Sequence, residues 1–521
     1  MSNGRLLWAD DEIELLKGHI LFLKMKGYEV TTVSNGVDAI EACRQQSFDL
    51  ILLDEIMPGL SGLEALKEIK AIQPTTPIVM VTKNEEENIM DQAIGSQIAD
   101  YLIKPVHPKQ ILLSLKKCIH KKEIVTSVTQ SGYQQSFTDI ATQIDNCLTV
   151  DDWIETYKRL TRWELELSGS DSNMSDMLTM QKNEANNGFG KFVRNHYMEW
   201  MEAIRSGNKT DRPLMSHEIF KNRIFPLLDQ KQKVLLIVID NLRYDQWRML
   251  SEEIGDMFDI EEDLYMSILP TATQYARNAI FSGLMPTQIQ QMFPSLWVDE
   301  GKDEGKNLNE AELIHMQIER YRRHDTFSYD KINDSQSAAK VFERRREWTQ
   351  HDLCVMVINF IDMLSHARTE SKMVRELAHN ENAYRNITLS WFRHSSIYEL
   401  FKWLSTSEFQ VILTTDHGSI RVAKPLKIIG DRNTNSNLRY KLGKNLKFNP
   451  KQVLEIKNPG NAFLPAPNLS TSYVFATGDS FFAYPNNYNY YVSYYKDTFQ
   501  HGGISMEEML IPLIKLKPRK R

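Results

Sequence analysis

The sequence predicts an α/β protein in three parts: a doubly wound parallel-sheet domain over residues 1–122, a helical-bundle linker over 123–213, and a second, larger α/β domain over 214–521. Three observations carry this. In the N-terminal part, short apolar runs alternate with amphipathic helical stretches. A Trp- and Leu-rich stretch with helical spacing follows, and the C-terminal part returns to continuous apolar runs that end in acids. At 521 residues the chain exceeds what one core usually supports, so several domains are expected.

Composition narrows the function classes. An apolar content of 42% suffices for ordinary cores, and a formal net charge of -6 argues against a wholly basic nucleic-acid coat while leaving local patches open. Cys43, Cys118, Cys147 and Cys354 lie far apart with no CxxC spacing, which fits a reducing compartment and disfavours a thiolate zinc site. No apolar run approaches membrane-spanning length, and Trp8-Ala9-Asp10-Asp11 stands where a signal peptide would keep its apolar stretch. A cytoplasmic protein without direct membrane insertion is expected.

In the first domain, Leu6–Ala9, Leu50–Leu53, Ile78–Val81 and Tyr101–Ile103 read as buried strands. Asp10 and Asp11 follow the first and Asp54 the third, so the acids converge at the carboxyl edge of a parallel sheet. Such a cluster attracts Mg²⁺, which screens Asp54 and lets it act as a nucleophile towards phosphorus. Thr82 and Lys104-Pro105 close the next two strands and add a hydroxyl and an ammonium for phosphate oxygens. With Met57-Pro58-Gly59 and Gly62, these residues resemble the receiver domain of bacterial two-component response regulators. That resemblance implies phosphorylation of Asp54 by a sensor histidine kinase, Mg²⁺ held by Asp10, Asp11 and Asp54, pairing of Lys104 with the phosphoryl group, and a switch through Thr82 and Tyr101.

The middle segment carries no chemistry in its pattern. Trp153, Tyr157, Leu160, Trp163 and Leu167 repeat at helical spacing, and Asn187–Arg205 reads as a further helix, giving a small bundle that transmits between domains. Asn208–Pro213 has linker composition, and His196 and His217 read as surface or packed histidines.

In the last domain, Val234–Ile239 ends in Asp240-Asn241, Val355–Ile361 in Asp362, and Val411–Thr415 in Asp416-His417-Gly418. Three buried strands each delivering an acid, with His366 four residues past Asp362 on a loop and His501 before Gly502-Gly503, suit divalent cations. Carboxylate and imidazole without thiolate favour Zn²⁺ over Mn²⁺. The segment Leu269-Pro270-Thr271-Ala272-Thr273 through Gly283 then looks like the nucleophile turn of the alkaline phosphatase superfamily, in which a hydroxyl residue opens a helix ten residues before a Gly. Counting back gives Thr273, with Thr271 the rival nucleophile. Arg277 is similar to the sulfatase signature, and Pro-Thr-x-Thr to that of nucleotide pyrophosphatase/phosphodiesterases.

Carried over by that resemblance, one zinc is held by Asp240, Thr273, Asp416 and His417, and the other by Asp362, His366 and His501. Asp240-Asn-Leu-Arg-Tyr-Asp245 and His501-Gly-Gly-Ile-Ser-Met-Glu-Glu-Met-Leu-Ile-Pro512 resemble the PglZ branch. A receiver fused to a PglZ domain resembles the PorX-type response regulators of Bacteroidetes. This implies a phosphodiesterase acting on linear or cyclic oligonucleotides, a part in controlling type IX secretion and gliding, and phosphorylation-dependent homodimerisation.

Two further segments bear on substrate. Lys424–Lys457 holds nine Lys or Arg against two acids and reads either as a basic lid over the metals or as a solvated loop. Tyr484–Tyr495 reads as strands packing on the sheet, with base stacking the competing reading. The alternative to an enzyme is a docking platform with structural metals that binds a sigma factor or a secretion-complex subunit. No sequence-specific DNA-binding module is visible.

Overall fold

The computed structural model describes residues 3–83, 98–119, 121–168, 173–208, 212–300, 307–431 and 434–519, and the chain divides into two compact units, Met1–Gly132 and Tyr133–Arg521. Among the described residues no helix is long and apolar enough to cross a membrane. Part of the stretch between Thr82 and Tyr101 lies outside the described residues.

In the first unit, β1 (Arg5–Ala9), β2 (Glu29–Val33), β3 (Leu50–Asp54), β4 (Ile78–Thr82) and β5 (Asp100–Ile103) form a parallel sheet in the order β2-β1-β3-β4-β5. Alternate residues of each central strand enter separate cores. Leu7, Ala9, Ile51, Leu53, Ile78 and Met80 pack with helices Gly36–Gln45 and Gly62–Ile72. Leu6, Trp8, Leu50, Leu52, Val79 and Val81 pack with helices Lys17–Met25 and Pro108–Ile119. A sheet covered on both faces needs apolar residues at every central position, which is why its strands read as continuous runs.

The second unit is built on a six-stranded sheet of β6 (Val234–Ile239), β7 (Phe258–Met266), β8 (Phe327–Ile332), β9 (Leu353–Ile358), β10 (Gln410–Thr414) and the C-terminal strand Leu510–Pro518. β6, β8, β9 and β10 run parallel, and the C-terminal strand is antiparallel to both β10 and β7. Every residue of β6, β9 and β10 is buried.

The middle helices share this unit's core. Thr149 and Asp152 form a capping box that starts Val150–Glu166, whose Trp153, Tyr157, Leu160 and Trp163 are buried, and a single helix runs Asn173–Ser206. From it, Tyr197 Oη accepts the Leu269 amide at 2.9 Å, while Asn186 receives the Met506 amide at 2.8 Å and donates to Glu507 at 2.9 Å.

Three sequence expectations need correction. β9 stops at Ile358, and Asp362 lies in the first turn of helix Phe360–Glu370, so Asp362 and His366 share one helix face instead of a strand end and a loop. Tyr484–Tyr495 forms no strands: helix Tyr488–Tyr495 occupies it. The basic segment from Lys424 is no unstructured loop either. It contributes β12 (Lys424–Lys427), β13 (Tyr440–Gly443) and β14 (Val453–Ile456), flanked by β11 (Ile420–Arg421), β15 (Ser472–Ala476), β16 (Ser480–Ala483) and β17 (Phe499–Gln500), and it makes small sheets with β15 and β16.

Candidate metal centre and phosphoacceptor site

The sheet geometry brings the C-terminal ligand-type residues together. Asp240 follows β6 directly, Asp416 and His417 come two and three residues past β10, and His501 follows β17. Two groups result, Asp240/Asp416/His417 and Asp362/His366/His501, each with its ligand atoms within 4.8 Å of one another. The His417 and His501 rings stack at 4.2 Å and 16° and so join the groups. Gly418 is required for this approach: a Cβ there would lie 2.0 Å from the Glu507 carbonyl oxygen.

Thr273 is the first residue of helix Thr273–Ser282, which ends on Gly283 in the left-handed conformation at φ 62°. Its Oγ1 lies 3.1 Å from His417 Nε2 and 3.5 Å from Asp240 Oδ1. The rival Thr271 is fully buried and committed elsewhere: its hydroxyl donates to the Gly503 carbonyl at 2.8 Å and accepts from the Gly502 amide at 3.1 Å. Arg277, one turn after Thr273, is buried and points into the protein, donating to Asp240 at 2.8 Å, Glu310 at 2.6 Å and Asn359 at 3.3 Å. It is a carboxylate holder with no free face.

The electrostatics fit cation binding. Burial pushes Asp240 and Asp416 above the usual carboxylate range, against the pull of Arg277, and Asp416 Oδ2 has no hydrogen-bond partner. Burial also acts to raise Asp362, but the His366 contact and neighbouring imidazoles hold it well below the usual range. Burial depresses His417, and His501 falls to about 3 through burial and the adjacent His417. Neutral imidazoles are what a cation needs. Each has its Nδ1 on a carbonyl, Gly418 for His417 and Thr271 for His501, both at 3.1 Å, so each Nδ1 carries the proton and each Nε2 presents a lone pair to the site.

A third group in this unit shows the contrast. Glu164, Asp245 and Glu381 also lie within ligand distance of one another, yet Arg243 reaches Asp245 and Glu381 at 2.6 Å each, Arg385 reaches Glu164 at 2.7 Å, and Lys182 reaches Glu164 at 2.5 Å. Protein cations already neutralise it.

In the first unit, Asp10, Asp11 and Asp54 form the corresponding cluster, and Lys104 Nζ lies 2.8 Å from Asp10 and 2.9 Å from Asp54. Burial raises Asp54 to about 6, with Lys104 opposing. Thr82 donates to Glu55, and burial pushes the Tyr101 phenol up against an opposing hydrogen bond with Thr82. Gly62 is fixed by space: a Cβ would sit 2.2 Å from the Asp54 carbonyl oxygen.

Sequence reasoning missed Asn241 and Glu310. Asn241, in the left-handed conformation at φ 64°, donates from Nδ2 to Asp362 at 3.2 Å and to Ser365 at 3.2 Å, while its amide lies 3.5 Å from Asp416 Oδ1. It ties the two groups together, and its position directly after Asp240 was the available signal. Glu310 has none, because its contact with Arg277 is purely tertiary.

A profile of the BREX system PglZ alkaline phosphatase-like domain matches residues 219–516. The chain belongs to the PglZ alkaline phosphatase-like family. The PglZ domain is preceded by matches to the PorX response regulator linker domain at 123–201 and the response regulator receiver domain at 6–116, so the whole is a PorX-type receiver–PglZ fusion. A receiver implies a cognate sensor kinase.

Among curated proteins, the chain is similar to the uncharacterized transcriptional regulatory protein YkoG of Bacillus subtilis, 31% identical over 23% of this chain and 53% of that one. It is also similar to the transcriptional regulatory protein ResD of the same species, 32% identical over 23% and 50%. The chain spans about half the length of these relatives. A solved receiver domain of the sensor histidine kinase PA1611 from Pseudomonas aeruginosa, with magnesium coordinated in its active-site cleft, is 27% identical, covers 23% of this chain and 99% of that one, and has a TM-score of 0.22.

Proposed function

We propose that the PglZ domain is a zinc-dependent phosphodiesterase that cleaves linear or cyclic oligonucleotides with Thr273 as nucleophile, under control of phosphorylation at Asp54. The observation that carries the reading is the Thr273 hydroxyl, at a helix N-terminus, between the Asp240 carboxylate and the His417 Nε2 lone pair. Asp240, Thr273, Asp416 and His417 would hold one ion, and Asp362, His366 and His501 the other. When bound, the zinc pair supplies Lewis acidity that lowers the Thr273 hydroxyl pKa and offsets charge on the phosphoryl and leaving oxygens.

Thr273 Oγ1 then forms a bond to phosphorus as the bond to the leaving nucleoside oxygen breaks. The Thr273 and Gln274 amides, which open its helix, favour the anionic phosphoryl group. The Thr273 proton ends on that leaving oxygen, and water then hydrolyses the resulting threonyl nucleotide diester, which restores the hydroxyl and releases the second nucleotide with a terminal phosphate. Arg277 holds Asp240 in place, and the carbonyl partners of His417 and His501 fix their tautomers.

In the receiver, Asp10, Asp11 and Asp54 would hold Mg²⁺, and Lys104 would contact the phosphoryl group added to Asp54. Phosphorylation then favours a homodimer. The PorX-type domain order supports a place in the control of type IX secretion and gliding.

The test is hydrolysis of bis-p-nitrophenyl phosphate and short oligonucleotides with and without chelator. Metal-dependent turnover that disappears in Thr273→Val is expected. Loss confined to Thr271→Val would reassign the nucleophile, and no turnover in any metal-loaded preparation would favour the docking platform. Beryllofluoride should raise the dimer fraction in light scattering, and an Asp54→Ala protein that responds equally would remove the switch.

A further inference from the structure

Helix Tyr488–Tyr495 carries five tyrosines in eight residues, and none of its residues is buried. Tyrosine is a mediocre helix former whose value lies in buried area; Val492 and Tyr495 pack on the small sheets, and the face with Tyr490 and Tyr491 is left with a surface to offer. The rings are arranged in order. Tyr490 and Tyr494 stack at 17°, Tyr491 and Tyr495 at 12°, and Tyr490 is 65% and Tyr491 38% exposed.

This surface is attached to the candidate metal centre. Helix Phe360–Glu370 carries Asp362 and His366, and Arg375 binds its C-terminal end through the Thr369 carbonyl at 2.6 Å while lying 5.2 Å from the centre of the Tyr494 ring. Arg368, two residues past His366, donates to the Asp497 carbonyl just after the tyrosine helix. From His366 to Thr369 the helix rises about 4.5 Å, and the arginine adds a few ångströms more. The Tyr494 ring, at the C-terminal end of the tyrosine helix, is thus tied to the helix that carries His366, with Tyr490 and Tyr491 one turn further on.

We propose that helix Tyr488–Tyr495, tied through Arg375 to the helix bearing Asp362 and His366, is a stacking subsite for the bases of a single-stranded oligonucleotide whose phosphodiester lies at the metal centre. The inference rests on the phosphodiesterase reading. Charge complementarity selects this occupant. Lys427 lies 5.0 Å from the Tyr488 ring centre and Arg375 5.2 Å from that of Tyr494, and Lys496 is exposed directly after the helix, so cations flank the aromatic faces at both ends. Bases stack on such faces with little sequence preference while cations track the backbone.

The experiment compares wild type with Tyr490→Ser/Tyr491→Ser and Tyr490→Phe/Tyr491→Phe, all at exposed positions. Fluorescence anisotropy of labelled pentathymidylate on the Thr273→Val background reads binding without cleavage. Turnover of pentathymidylate and of base-free methyl p-nitrophenyl phosphate reads catalysis. The serine pair should weaken pentathymidylate binding about ten-fold, raise its KM similarly and leave the base-free diester unchanged, and the phenylalanine pair should restore binding.

Unchanged pentathymidylate binding in the serine pair would overturn the subsite. So would an equal loss on the base-free diester, or a serine effect confined to self-association of the protein. If wild type cleaves no diester, the catalytic reading fails while anisotropy still decides the subsite.

Discussion

His217 offers a quantitative test of how the segment beneath the nucleophile turn is held. It lies in the turn Ser216–Glu218, where Ser216 Oγ accepts the Ile268 amide at 3.2 Å, five residues before Thr273. His217 Nδ1 is sequestered without a hydrogen-bond partner, and burial pushes the imidazole down to about 4, with Glu218 opposing. Glu218 is itself engaged by Arg212 at 2.7 Å and so offers His217 little.

A depressed folded-state value means the contribution is intact above the unfolded value of about 6.5 and is lost as pH falls towards 4. At pH 5.5 the unfolded chain is largely protonated at this site and the folded one is not, a difference of RT ln 11, or about 1.4 kcal/mol. The ring keeps some exposure, which makes this an upper figure. Chelator-treated wild type and His217→Gln, unfolded in urea at pH 7.5 and 5.5, isolate the effect because all other titrations are common to both. Wild type should lose about 1 kcal/mol more than the variant over that interval, and amide exchange should quicken at Ile268 and Leu269. Equal losses in the two proteins would refute the reasoning.

Arg277→Met leaves Asp240 and Glu310 buried without their guanidinium, so the metal-free protein should lose about 3–5 kcal/mol, read by urea unfolding, with zinc restoring part of it. Asn241→Ala removes the tie between the ligand groups and places a Cβ-bearing residue without a side-chain amide at φ 64°. Zinc affinity measured by chelator competition should fall about 10–100-fold, and Asn241→Gly should recover the backbone part but not the loss of the Asp362 contact. In the receiver, Gly62→Ala drives a Cβ against the Asp54 carbonyl oxygen. A loss of about 1–3 kcal/mol in receiver stability and slower phosphorylation by acetyl phosphate should follow, seen by melting and by Phos-tag gels.

Much of both sites was legible because strand-end acids are a local signal. Asp10, Asp54, Asp240 and Asp416 each close an apolar run too short for a helix, the last two runs are rich in β-branched residues, and parallel strands gather such ends at one edge. Asp362 was misplaced for the converse reason: Phe360 and Ile361 extend the apolar run of β9, although they belong to a helical first turn packed inward, and a short apolar run looks the same in either period. The tyrosine segment was misread because tyrosine favours strands wherever a sheet covers it, and here only Val492 and Tyr495 pack on the small sheets while Tyr490 and Tyr491 stay exposed. What escaped entirely was contact across long separations. Neither Glu310 on Arg277 nor Tyr197 on the Leu269 amide has a spacing that could announce it.

Those long-range contacts change the role of the middle helices. A bundle that merely relayed a signal would need only an apolar seam against its neighbours. Instead Tyr197 holds the backbone leading into Thr273, and Asn186 clamps Met506 and Glu507, whose carbonyl crowds Gly418 beside His417. The Glu164–Asp245–Glu381 cluster adds a charged tie, joining helix Val150–Glu166 through Arg385 to Asp245, five residues past Asp240. Buried ion pairs cost desolvation and contribute little net stability, but they penalise any arrangement in which a partner is missing. The cluster therefore specifies where the bundle sits more than how strongly it is held. A shift of the helices would disturb the nucleophile turn and the His417 loop together, and this is the route by which a change at the bundle can reach the site.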